Sequence, residues 1–153
     1  MTTKRSTSLL IVFVLLLALS ATAFAGSAHV SGTGTLTASG SGRAVLRGDG
    51  SVDASGNGVL KVLDCGGDAV IHVTGNGLKV IKQKGNCVLY KYVGFNGTAS
   101  VVGDNIKVKI KGIAIDMTAH GTGVVRLNGV GVYHVGNQTG LWSEPGVEIY
   151  LSE

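Results

Sequence analysis

Four histidines, nine acidic residues and two cysteines are the side chains from which catalysis or metal binding would have to start in this 153-residue chain. His29, His72, His120 and His134 are too far apart in sequence to give a close metal-ligand spacing. Asp116 and His120 would share one face of a strand, where solvated side chains are the expectation. No Gly-x-Ser-x-Gly elbow occurs, and neither cysteine has a histidine near it in sequence. Glycoside cleavage needs two carboxylates facing each other across a cleft, and the acids here are scattered. The segments Gly48–Asp53 and Asp64–Asp68 approach the calcium-binding glycine nonad, but neither matches it, and calcium needs six or more oxygens. The glycine-rich stretches lack the Gly-Lys-Ser/Thr ending of a phosphate loop, and none opens a helix. No catalytic residue, metal site or cofactor is expected, and the chain reads as a non-enzyme.

Three other groups of residues remain. Lys79, Lys82, Lys84, Lys91, Lys107, Lys109 and Lys111 concentrate in the middle third. On adjacent strands they would form a basic face able to meet anionic glycans, cell-wall polymers or lipid headgroups. The competing reading is a soluble outer face that discourages edge pairing. Cys65 and Cys87 form a candidate disulfide. Trp142, Pro145 and Tyr150 gather near the end, where the glycine rhythm stops, and suit a cap over the last open edge.

The elements that must position these residues are set by a repeat. Glycine doublets recur every eight residues at Gly32/Gly34, Gly40/Gly42, Gly48/Gly50 and Gly56/Gly58. Leu36, Ala44, Val52 and Leu60 hold one phase between them, and Ala38, Leu46, Ala54 and Val62 hold a second, two positions on. Strict alternation of this kind marks half-buried strands. It continues through Ala69, Ile71 and Val73, through Ile106, Val108 and Ile110 between the lysines, and through Ile113, Ile115 and Met117. Val125, Leu127, Val130, Val132, Val147, Ile149 and Leu151 close the series. An all-β domain of short, Gly-x-Gly-punctuated strands follows. Each unit is too small to bury a core alone and must stack on its neighbours.

Two architectures satisfy the pattern. One is a β-solenoid resembling a parallel β-helix, with glycines at the corners. The alternative is an antiparallel meander or sandwich, with glycines in hairpin turns. The cysteine spacing of 22 residues favours the first. It is close to the length of one coil of three faces and would bring the pair onto neighbouring rungs, about 4.8 Å apart.

Before the repeat, Lys4 and Arg5, an apolar run from Leu9 to Leu19 and the small-x-small end Ala23-Phe24-Ala25 read as a signal peptide over residues 1–25. Ser20 and Thr22 interrupt the run before the ~20 apolar residues of a membrane span. Residues 26–153 then form one Gly-rich β-repeat domain, secreted or held in the cell envelope, touching a membrane only through the leader before cleavage. Without the leader, eleven basic residues stand against nine acidic ones. So small an excess gives no footing for nucleic-acid binding. Alternating Val, Ile and Leu argue against a disordered Gly/Ser linker.

Val30-Ser31-Gly32-Thr33-Gly34, Ser39-Gly40-Ser41-Gly42 and Ser55-Gly56-Asn57-Gly58 resemble the Ser-Gly-x-Gly repeats of autotransporter-adhesin head (GIN) domains of secreted bacterial proteins. The likeness covers mainly Val30–Val62, and the lysine-rich strands and Trp142 do not follow it. It implies a stacked β fold and carries over no binding residue. The expected function is an exported structural or adhesin-like surface protein, with self-association or a cell-surface polymer as partner. The alternative is a soluble module that binds anionic polysaccharide or cell-wall polymer through the lysine face.

Overall fold

A chain with Val, Ile or Leu at alternate positions can stay extended for as long as its bends are made by residues that need no side chain. That is what the glycine doublets permit. The computed structural model describes residues 29–153, so the expected leader lies outside them. Six strands occur in chain order: β1 (His29–Thr33), β2 (Leu36–Asp64), β3 (Val70–Lys84), β4 (Cys87–Val135), β5 (Gln138–Leu141) and β6 (Val147–Ser152). All belong to one sheet, and there is no helix among the described residues. No helix of the described residues is long and apolar enough to cross a membrane. Strands of about five residues were expected. Instead β2 runs for 29 residues and β4 for 49, straight through the glycine doublets. The doublets are corners inside strands, not hairpin turns.

The ladders also correct the expected parallel order. β2 and β3 each pair antiparallel with β4, as do β5 and β6, and only the short β1–β6 pairing is a parallel ladder. β2 is bonded to β4 along both of its edges. Leu36 faces Ala119 on one side and Val135 on the other, Leu46 faces Val108 and Val125, and Leu60 faces Tyr92 and Ile110. The two β4 partners of a given β2 residue therefore lie sixteen to eighteen residues apart, which is close to two octads.

Close backbone approach at the corners explains why they are glycine. Gly50 pairs with Gly121, and both have left-handed φ, 132° and 124°. A Cβ on Gly50 would run into the carbonyl oxygen of His120 and lie 2.9 Å from the Gly121 Cα. Gly42 faces Gly129, Gly48 faces Gly123 and Gly58 faces Gly112 in the same way. Side chains on either strand would force the corner open.

Opposed residues of an antiparallel pair point to the same side of the sheet. Both apolar phases of the octads consequently enter one core: Leu36, Ala44, Val52 and Leu60 with Ala38, Leu46, Ala54 and Val62, all buried. Ile106, Val108 and Ile110 join them, as do Ile115, Met117, Val125, Leu127, Val147, Ile149 and Leu151. Three residues of the pattern depart from expectation. Ile113 is 61% exposed because Ala114 adopts φ 50°, and the alternation skips a residue before Ile115. Val130 sits between the corner glycines Gly129 and Gly131, Val132 follows them, and both are exposed.

Cys65 and Cys87 are bonded to each other. Their proximity has a different cause from stacked rungs. Asp64 at the end of β2 pairs with Val88 near the start of β4, so the next residues, Cys65 and Cys87, are cross-strand neighbours in an antiparallel pair. The 22-residue spacing is the length of the β3 excursion between them, whose hairpin turns at Gly85-Asn86.

Candidate functional site: a basic bank on the sheet

The outward positions of β2 fall into two chemically distinct sets, divided by its corners. The first and third octads present Thr37, Ser39, Ser51, Asp53 and Ser55. The second and fourth present Arg43, Val45, Arg47, Val59 and Lys61. Pairing to β4 keeps the sets apart, because like octads lie opposite like segments.

On the basic set, Lys91, Lys61 and Lys109 stand in one file, with Lys61 of β2 between two passes of β4. Arg47 is opposite Lys107, Arg43 is opposite Lys111, and Val45 separates Lys109 from Arg126 in the first file. Neighbouring strands are about 4.8 Å apart. Like charges directly opposite one another destabilise a sheet, so four such cross-strand pairs oppose folding. The strain shows at Lys109: burial, then the charges of Arg43, Lys61, Lys107 and Lys111, hold its ammonium below the ordinary lysine pKa of 10.5. Arg43, Arg47, Lys107, Lys109 and Arg126 also line a shallow cleft of about 420 Å³. Two acids border this bank: Glu144 shares a cleft with Arg43, Lys109 and Lys111, and the Glu148 carboxylate is 3.4 Å from Arg126 and 3.6 Å from His29.

The seven lysines singled out from the sequence divide between three places. Lys91, Lys107, Lys109 and Lys111 sit in the bank. Lys82 is separated from Lys107 by Leu89 and Leu63 in the same file, and Lys84 is opposite Cys87 at the hairpin end. Lys79 turns to the other side of the sheet, its ammonium 5.7 and 5.9 Å from the ring centres of Tyr90 and Tyr92. Arg43, Arg47, Lys61 and Arg126 were not singled out. Their signal lay in the alternation of octads, since Arg43, Arg47 and Lys61 occupy the second and fourth.

The other set borders an open groove of about 390 Å³ whose wall combines Asp53, Ser55, His72, Thr74, Thr98 and Asp116 with the apolar Ala54, Ala99 and Met117. Its side chains bond mainly to each other: Ser39 donates to Asp116 at 2.6 Å, and the Thr74 and Thr98 hydroxyls are 2.6 Å apart. His120 meets Thr35 at 3.0 Å, and His134 meets Thr139 at 2.8 Å. Among the described residues no group of three His, Cys, Asp or Glu side chains could hold a metal ion. The acids near the would-be calcium loop are engaged locally. Buried Asp64 accepts from the Gly67 N–H at 2.7 Å, and Asp68 accepts from the Asp104 N–H at 3.1 Å.

At the chain end, Trp142 is buried and its indole N–H donates to the Val132 carbonyl at 3.0 Å. Pro145 is exposed and its carbonyl accepts from Arg126 at 3.4 Å. Tyr150 is 41% exposed and stacks on His29, with ring centres 6.0 Å apart. Comparison with protein-family models, with curated proteins and with solved structures gives no match.

Proposed function

We propose that this chain is an exported, non-enzymatic β-scaffold of the cell surface or envelope that holds an anionic polymer on its basic bank. The observation that carries the reading is the alignment of like charges: Lys91, Lys61 and Lys109 in file, with Arg47 beside Lys107 and Arg43 beside Lys111. A surface that needed only solubility would alternate signs between strands, since that arrangement stabilises the sheet. A polyanion laid across the files relieves the repulsion and is attracted by all of them together.

On this reading the ladder is a coil with two octads to the turn. Alternate octads fall on opposite walls, which gathers the cations on one of them. The sixteen-to-eighteen-residue offset between the two β4 partners of each β2 residue supports this arrangement. Export is supported by the Cys65–Cys87 bond, which belongs to an oxidising compartment, and by the leader expected over residues 1–25. The likeness of the Ser-Gly-x-Gly segments to adhesin head domains supports a place at the cell surface.

The test is retention on an immobilised acidic polysaccharide, with a neutral one as control. Changing Lys107→Gln, Lys109→Gln and Lys111→Gln together is expected to lower the salt needed for elution from the acidic support severalfold. Unchanged retention would contradict the proposal and leave a structural surface element.

A further inference from the structure

We propose that β3 is a self-association edge, through which two copies of this chain join antiparallel across a two-fold axis at Asn76. The two ends of the sheet are not alike. At one end, the edge strands β1 and β5 have five and four residues, too short to template another strand. At the other, β3 is paired on one side only among the described residues and offers a free edge fifteen residues long. Leu78 is 68% exposed along it, and Val70 and Ile81 are each 55% exposed. Such an edge takes up an added strand by backbone hydrogen bonds.

The register identifies the added strand as a second β3. Glycine faces glycine at most corners within the molecule, and Gly75 already faces Gly97 across its inner edge. Gly75 and Gly77 therefore need glycines beyond the free edge, two residues apart. An antiparallel β3 supplies both when Gly75 lies opposite Gly77 of the second copy and Asn76 lies opposite Asn76. A one-residue slip of the axis to Gly75 or Gly77 would set a glycine against Val73 or Lys79. In the favoured register Ile71 meets Ile81, both on the side of the sheet that carries the core. No lysine meets a lysine: Lys79 is opposite Val73, Lys82 is opposite Val70, and Lys84 reaches Asp68. Like charges are kept apart, Lys84 gains an opposite charge, and a two-fold contact closes at the dimer. Whatever the basic bank holds, it lies outside this contact.

Sedimentation equilibrium of the wild-type chain is expected to give twice the chain mass. A single-chain mass across the concentration range, or an open series of larger species, would overturn the proposal. An Asn76→Cys variant is expected to form an intermolecular bond between the two introduced thiols on mild oxidation, located by mass mapping alongside intact Cys65–Cys87. A Thr139→Cys variant on the opposite edge is expected to stay uncrosslinked. Ile81→Glu changes an exposed side chain, so the variant should fold with an unaltered far-ultraviolet spectrum and sediment as a single chain. A folded Ile81→Glu dimer would overturn this register, and an Asn76→Cys variant that crosslinks no faster than Thr139→Cys would overturn the axis.

Discussion

Lys109 shows the cost of the basic bank most directly. Burial and four neighbouring cations favour its neutral form, so its pKa in the folded chain is below the 10.5 of a free lysine. A lysine whose folded pKa is depressed weakens the fold while it is protonated in both states. The penalty is fully present below the folded value and disappears as pH rises from there towards the ordinary value. Lys109→Gln should therefore melt higher than wild type at neutral pH, by about a degree or two given its partial exposure. The advantage should shrink as pH approaches 10.5 and as salt screens the neighbours. Tyr133 acts from the upper end of this window: burial raises its pKa above 10.0, so both proteins should lose stability together once free tyrosine ionises. Thermal melts of the two chains at a series of pH values test the sign. A Lys109→Gln melt below wild type at neutral pH would show that the file of cations is not strained.

At the scale of the element, the corner pairs decide whether β2 and β4 can run on. Gly50→Ala places a methyl against the His120 carbonyl on a backbone with φ 132°. Conformational strain and overpacking together should cost about 3 kcal/mol, read as a lowered midpoint in urea. Ser41→Ala, exposed between two corners, should lie within about 0.5 kcal/mol of wild type. Removing the Cys65–Cys87 bond with paired serines should cost about 3 kcal/mol for a closed loop of this length, by the same measurement.

Much of this scale was legible in the sequence. The alternation from Leu36 to Val62 and around Lys107, Lys109 and Lys111 identified the buried phase, because period two leaves one face for the core. The partner of each strand was not legible. Parallel stacking and antiparallel return both accept an eight-residue beat, and the choice depends on where the chain reverses, at Gly85-Asn86. The same gap explains the incomplete basic site. Arg43 and Lys111 are far apart in sequence and meet only through the antiparallel register. Ile113 was placed inside because nothing in its neighbours' types signals the positive φ at Ala114.

For the whole molecule, the sheet gathers one hydrophobic core and divides its outward residues into a basic bank and a hydroxyl- and acid-bearing groove. In the proposed function the polymer lies on the first of these. A polyanion bridging several files should bind with a strong dependence on salt, since each engaged cation adds a screened attraction. Titration of wild type and of the Lys107→Gln, Lys109→Gln, Lys111→Gln variant with one acidic polysaccharide, at several salt concentrations, tests this most directly. Wild type should bind tightly with an affinity that weakens steeply with salt, and the variant should show both lower affinity and a shallower salt dependence. Equal affinities and equal slopes for the two proteins would contradict it.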